Sequence, residues 1–85
     1  MAEKKIGKVT HYFTSIGVAA IEITEGELCV GDTIHIVGHT SDFTQKVSSM
    51  QVEHKSVEKA SAGESIGIKV DEHAREHDEV FLVTE

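Results

Sequence analysis

The chain has 85 residues, of which 39 % are hydrophobic, and contains three Phe, one Tyr and no Trp. A chain of this size buries only about 60–65 % of the surface that its unfolded form exposes, which allows one thin core and excludes a deep substrate cavity. Eight basic against fifteen acidic residues give a net charge of −7. This charge disfavours binding to RNA phosphates and favours a protein partner with a basic surface.

The single cysteine, Cys29, excludes an intramolecular disulfide and a multi-cysteine zinc site. A lone thiol suits a reducing compartment, so we expect a cytoplasmic location. No apolar run approaches the roughly 20 residues of a membrane span, and the N-terminal residues precede no apolar run of signal-peptide length. The sequence therefore predicts no association with a membrane.

Apolar and β-branched residues recur at every second position, which predicts strands throughout the chain. The predicted strands cover residues 6–13, 18–24, 33–37, 43–55, 57–60, 65–70 and 80–84. Turns containing Gly, Asp or Ser separate them. No linker-like tract interrupts the pattern, so we expect residues 6–85 to form one domain and residues 1–5 to be frayed.

Two strands contain histidines with different predicted environments. His11 shares a face with Val9 and Phe13, which predicts a partly buried imidazole. His35 lies between Ile34 and Ile36 and is predicted to point outward. His35 and His39 have i, i+4 spacing, but on a strand they would lie roughly 13 Å apart, too far for one metal ion.

The long strand at 43–55 has inconsistent parity, because Val47 and Met50 cannot face the same side of a regular strand. One extra residue near Ser48 and Ser49 would correct the alternation. We therefore predict a β-bulge there, which would also bend the strand as a small barrel requires.

Several turn and strand segments, in order, resemble the second domain of translational GTPases such as elongation factor Tu and bacterial initiation factor two. They are Gly-Val-Ala at 17–19, Glu-Gly-Glu-Leu at 25–28, Val-Gly-Asp-Thr-Ile-His-Ile-Val-Gly at 30–38, Lys-Val at 46–47 and Ala-Gly-Glu-Ser-Ile-Gly-Ile at 62–68. The resemblance spans nearly the whole chain and implies an all-β fold, a small closed six-stranded β-barrel, mainly antiparallel.

In those factors the barrel packs against the GTPase domain and, in the elongation factor, helps to hold the aminoacyl end of transfer RNA. The resemblance implies a non-catalytic elongation factor-like module that binds a protein partner in a translation or RNA-related process. The alternative is binding of the transfer RNA acceptor end through the turn that contains Ser15, Ile16, Gly17 and Val18.

Three departures from the family pattern bear on ligands. A phosphate-binding loop ending at Gly7-Lys8 would need Gly where Ala2 stands, so we expect no GTP binding by this chain. Thr14-Ser15-Ile16 replaces a Gly-Arg-Gly type of turn, and the acidic pair at 71–72 replaces an expected Arg-Gly. These changes make the surface less favourable for phosphate.

Phe13, Ile16 and Val18 flank the turn that corresponds to the acceptor-end contact in the elongation factor. Two interpretations stay open for these side chains. They form a small apolar patch for another protein or an aminoacyl group, or the first two simply cover the end of the barrel.

Gly63, Ser65 and Gly67 match the Gly-x-Ser-x-Gly nucleophile elbow of hydrolases. That elbow must be followed by a helix, whereas the alternation of Ile66 and Ile68 predicts a strand. We therefore interpret the match as accidental and predict that the chain is not an enzyme.

His73 and His77 have i, i+4 spacing within an acidic segment, which on a helix would suit zinc. The segment reads instead as a solvated loop, so we predict no metal site and no cofactor. Cys29 has no basic neighbour in sequence to activate it, and we predict an unreactive thiol.

Overall fold

A computed structural model of the protein describes residues 2–53 and 55–84. Every regular element in these residues is a β-strand, which confirms the all-β prediction. The strands are β1 (Ala2–Phe13), β2 (Val18–Ile23), β3 (Glu27–Cys29), β4 (Thr33–Val37), β5 (Asp42–Lys46), β6 (Met50–Val52), β7 (Lys55–Val57), β8 (Lys59–Ser61), β9 (Ser65–Lys69) and β10 (Glu79–Thr84). None of the described residues belongs to a helix long and apolar enough to cross a membrane.

Eight strands form one antiparallel sheet in the order β5-β4-β10-β1-β2-β9-β6-β7, and β3 pairs with β8 in a separate ribbon. Within residues 2–53 and 55–84, main-chain pairing leaves β5 and β7 at the two ends of the large sheet. The predicted ring of six paired strands is therefore not confirmed by these pairings.

The core follows the predicted alternation on β2, β4 and β9, whose inward residues are at most 2 % exposed. Burying these aliphatic side chains supplies the main stabilisation of a chain this small. The buried apolar residues are Ile6, Val9, Ala19, Ile21, Ile23, Leu28, Ile34, Ile36, Phe43, Val47, Met50, Ala60, Ile66, Ile68, Val70, Ala74 and Val80.

The predicted turns before β4 and β9 are present. Gly31 has a φ of 98°, and the Asp32 carboxylate accepts the Cys29 N–H at 2.9 Å. Gly63 has a φ of 94°, and the Glu64 carboxylate accepts the Ser61 N–H at 2.7 Å. Each turn thus contains a glycine in the left-handed conformation and an acidic side chain that accepts the main-chain N–H three residues earlier.

The predicted bulge at Ser48 and Ser49 is wrong, because the chain leaves the strand there altogether. β5 ends at Lys46, and β6 begins at Met50 in a different part of the sheet. Val47 still bonds to the turn before β4, its N–H donating to Asp32 O at 2.8 Å. The break lets both Val47 and Met50 be buried without a common strand face.

Irregularities occur instead in β1, whose pairing shifts between Lys5 and Gly7 and again between Val9 and His11. The second shift reverses the alternation, so Val9 is buried while the His11 side chain is 54 % exposed. The prediction of a partly buried His11 is therefore wrong. Its ring packs edge-on against Phe13, with centroids 4.5 Å apart.

The N-terminal residues differ from the frayed segment that we expected. Residues 2–5 continue β1 and pair with β10, from Ala2 opposite Thr84 to Lys5 opposite Phe81. Their side chains are exposed, and main-chain hydrogen bonds rather than side-chain burial hold them in place.

Candidate functional site

The turn between β1 and β2 is held by hydrogen bonds on both sides. Phe13 O accepts the N–H groups of Ile16 and Gly17 at 3.3 and 2.9 Å, and Gly17 has a φ of 66°. Gly17 O accepts the Val70 N–H at 2.9 Å, which ties the turn to the end of β9. The fixed main chain leaves the Ile16 side chain at the tip, 61 % exposed.

Beside this turn lies a groove of about 350 Å³, which we call the turn groove. Phe13, 44 % exposed, and Ile16 form its rim, and both are large apolar residues in contact with solvent. The residues that line the groove are Phe13, Ile16, Val18, Ala20, Gln51, Glu53, Ser65, Ile66 and Gly67. Exposed apolar surface of this kind favours a binding partner.

Small residues create the floor of the turn groove. Ala20 on β2 lies opposite Gly67 on β9. The Ala20 methyl group is small and Gly67 has no side chain, so the space above this pair stays open. A Cβ placed on Gly67 would come within 3.4 Å of Val18 Cγ1. The depression therefore follows from the register of β2 against β9.

The far wall of the turn groove forms where β6 separates from β9. β6 pairs with β9 at Met50–Ile68 and Gln51–Gly67 and then turns into its hairpin with β7. Glu53 follows β6 with a φ of 50°, an uncommon conformation for a residue other than glycine. Of the nine lining residues, Glu53 is the only charged one.

Of the four site residues predicted from the sequence, Ile16 and Val18 line the turn groove, whereas Ser15 and Gly17 do not. Ser15 is exposed beside the groove, and Gly17 shapes the turn. Phe13 also lines the groove. Sequence reasoning missed the contributions from β6 and β9, because strand register alone brings them to the turn.

A second groove, of about 570 Å³, lies between the end of β4 and the segment 75–79. Six of its eight lining residues have polar or charged side chains. Asp78 at this groove is 3 % exposed, and its carboxylate accepts the Arg75 N–H at 2.9 Å. The Asp78 side chain thus already has a partner within its own turn.

The acidic segment 71–79 contains no helix, so His73 and His77 are not brought to a common helical face. His73 stacks on Tyr12, with ring centroids 4.3 Å apart, and the His77 N–H donates to Val9 O at 2.8 Å. In residues 2–53 and 55–84 there is no group of three or more His, Cys, Asp or Glu that could hold a metal ion.

His35 is more enclosed than its predicted outward position suggests, with 21 % of its side chain exposed. Asp42 Oδ1 lies 2.5 Å from Nε2, and Glu3 Oε1 lies 2.9 Å from Nδ1. The hydrogen bond to Asp42, followed by that to Glu3, raises the pKa of His35 above its ordinary value of 6.5. The two carboxylates lie on opposite sides of the ring, so they do not converge on a ligand.

Residues 17–80 match the family described as Elongation factor Tu domain 2, which covers most of the chain. The chain belongs to the elongation factor Tu domain 2 family. This membership confirms the resemblance to the second domain of translational GTPases.

Relatives of this member of the elongation factor Tu domain 2 family are peptidases by name. An uncharacterized protease of Methanocaldococcus jannaschii is 42 % identical over 82 residues, which cover 95 % of this chain and 20 % of the relative. A collagenase of Porphyromonas gingivalis is 43 % identical over 77 residues, which cover 89 % of this chain and 21 % of the relative. The chain thus spans about a fifth of the length of these relatives.

Two solved structures of the C-terminal domain of a Geobacillus thermoleovorans protein described as a U32 peptidase share the fold. One, a selenomethionine variant, has a TM-score of 0.85 at 19 % identity and covers 91 % of this chain and 96 % of that domain. The other has a TM-score of 0.87 at 18 % identity and covers 95 % of this chain and 93 % of that domain.

These findings correct the functional prediction. The expectation of a translation or RNA-related module, with transfer RNA binding at Ser15–Val18 as its alternative, is wrong, because the relatives are named protease and collagenase. The name elongation factor therefore describes the domain family. The predicted role of this chain in translation is wrong.

Proposed function

We propose that this chain is a non-catalytic, polypeptide-binding domain that works with a peptidase of the U32 type. The observation that carries the proposal is the turn groove, where Phe13 and Ile16 present exposed apolar surface next to the small-residue floor. The peptidase relatives and the fold shared with a peptidase C-terminal domain support the choice of partner. The groove binds the peptidase polypeptide and so positions the catalytic part.

The absence of catalysis by this chain is part of the proposal. Ser65 of the Gly-x-Ser-x-Gly match is the first residue of β9, and a strand follows it where the nucleophile elbow needs a helix. His73 and His77 lie in a segment without helical structure, which supports the same conclusion for a zinc-dependent mechanism.

The partner surface that we propose is basic. The net charge of −7 attracts a positively charged surface over long range, and the association rate then falls as salt is added. We also retain a cytoplasmic location within the proposal, because the lone thiol of Cys29 suits a reducing compartment.

We further propose that the six strands β1, β2, β4, β5, β9 and β10 act as a closed barrel. The support is a side-chain bridge between β5 and the end of β9. Gln45 Nε2 donates to Lys69 O at 3.0 Å, and Gln45 Oε1 accepts the Asp71 N–H at 2.8 Å. One amide side chain thus makes the kind of contact that a main-chain ladder would make at this gap.

A domain exchange tests the peptidase proposal. The segment of the P. gingivalis collagenase that matches this chain is replaced by the chain itself, and gelatin hydrolysis is measured beside a version that lacks the segment. We expect the exchange to restore activity lost on deletion. Ile16→Asp in the exchanged domain should abolish the restoration, because a charge in the apolar groove must be desolvated on binding.

The matched control is Val30→Asp, since Val30 is also apolar and 40 % exposed but does not line the turn groove. This variant should restore activity like the unmodified chain. Equal restoration by the Ile16 and Val30 variants, or hydrolysis of gelatin by the isolated chain, would contradict the proposal.

A further inference from the structure

We infer that the turn groove takes an extended polypeptide segment that adds to the edge of β9 and carries a bulky apolar side chain near a Lys or Arg. The inference rests on the proposed function and specifies what the groove recognises. It follows from the main-chain groups of β9, the apolar lining and the charge of Glu53 in the groove.

The main-chain groups of β9 point alternately toward β2 and away from it. Val70 N–H donates to Gly17 O and Ile23 N–H donates to Glu64 O, so even-numbered residues of this strand turn their polar groups toward β2. Alternation directs the N–H and C=O of Ser65, Gly67 and Lys69 toward the other side. That side is the edge facing β6.

Two of these three residues are already engaged on that edge. Lys69 O accepts the Gln45 amide at 3.0 Å, and Gly67 lies opposite Gln51 of β6. Continued pairing would bring Glu53 opposite Ser65, but β6 ends at Val52 and turns toward β7. Within the described part of the chain, the Ser65 N–H and C=O have no partner on this edge.

An extended segment can form both hydrogen bonds with Ser65, as in recognition by strand addition. The position is the one that β6 vacates, directly beside the turn groove. An apolar side chain of the added segment then packs against Phe13 and Ile16, whose exposed surface it removes from water.

Glu53 determines which charge is favoured next to the apolar side chain of the added segment. Among the described residues it is the only charged one that lines the groove, and the whole chain carries a net charge of −7. A Lys or Arg in the segment complements this charge, whereas an acidic residue is repelled. The occupant is therefore a basic and apolar extended segment of the partner polypeptide.

The test uses the full 85-residue chain, labelled with ¹⁵N, and two capped peptides. The first is Gly-Lys-Val-Phe-Lys-Gly, and the second replaces both Lys residues by Glu. We expect the basic peptide to shift the amide signals of Ser65, Gly67 and Val18 and to bind roughly fivefold more tightly than the acidic one. Glu53→Lys should reverse that preference, while Val30→Ser, on a different surface, should leave it unchanged.

A third peptide tests strand addition itself. Methylation of the main-chain nitrogens of its Val and Phe removes donors needed for a ladder, and we expect affinity to fall about tenfold. Equal affinity of the methylated and unmethylated peptides would overturn strand addition. Equal affinity of the basic and acidic peptides, or no shift at millimolar peptide, would overturn the proposed occupant.

These outcomes are separable from the peptidase proposal. One outcome is loss of gelatin hydrolysis in the Ile16→Asp exchange while none of the three peptides shifts an amide signal. That result would support the peptidase role and overturn the extended-segment inference. Unchanged hydrolysis in that exchange, with specific binding of the basic peptide, would remove the peptidase role and support the recognition chemistry alone.

Discussion

His35 on β4 and Glu3 on β1 form a hydrogen bond across β10, which lies between their strands. The second ring nitrogen of His35 bonds Asp42, the first residue of β5. Since a carboxylate can only accept, protonation of both nitrogens is needed to satisfy both partners. The imidazolium thus connects β4 to both β1 and β5.

We predict that the stability of the protein depends on pH through this contact. The pKa of His35 is raised in the folded state, so its contribution is complete below pH 6.5 and is lost as the pH rises through the folded pKa. His35→Gln should lower the free energy of unfolding by about 1 kcal/mol at pH 5.5 and by less at pH 9. Urea unfolding across this range measures the difference.

The control for the pH prediction is His39→Gln, because His39 is exposed on the loop after β4. Its unfolding curve should follow that of the unmodified chain at each pH. A loss in the His35 variant that is the same at pH 5.5 and pH 9 would assign the effect to packing instead of protonation.

Asp78 offers a second prediction, since it is 3 % exposed and accepts the Arg75 N–H. Asp78→Ala leaves that partly buried donor without its acceptor and should lower the free energy of unfolding by about 1 kcal/mol. Asp78→Asn keeps a carbonyl oxygen and should cost less. Thermal unfolding of both variants measures these losses of stability. Equal losses in the two variants would show that the hydrogen bond is not the cause.

Regular alternation was sufficient to predict the inward faces of β2, β4 and β9. It failed in β1, where the register shift between Val9 and His11 turns His11 to solvent. Such a shift depends on the partner strands and leaves no mark in the local pattern of apolar residues. The break after Lys46 was also missed. A bulge and a strand end both repair the parity of Val47 and Met50, so the local sequence is compatible with either.

The candidate site was only half predictable. Ile16 and Val18 belong to a local turn, so the sequence places them together, whereas Glu53 and Ser65 reach the groove through the pairing of distant strands. The family was predictable because its turns require particular Gly and Asp residues. The role was not, because a fold supports different functions according to the protein to which its surfaces bind.

Gly7 provides a third prediction, from the close approach of β1 and β2. A Cβ at this position would overlap the Glu22 main-chain oxygen, which cannot move without the strand. Gly7→Ala should therefore lower the free energy of unfolding by about 2–3 kcal/mol. Gly67→Ala is the matched control, since its Cβ meets only Val18 at 3.4 Å, and it should cost under about 1 kcal/mol. Similar losses in urea unfolding would contradict the steric explanation.

Gln45 provides the last prediction and tests the closed barrel. Gln45→Ala removes the acceptor of the Asp71 N–H and the donor to Lys69 O, and should lower the free energy of unfolding by about 1–2 kcal/mol. Hydrogen exchange at the Asp71 amide should accelerate about tenfold beyond that of other amides, because its partner is lost. Gln51→Ala, an exposed glutamine on β6, is the control and should leave Asp71 protected. Unchanged exchange at Asp71 in the Gln45 variant would show that this bridge does not close the sheet.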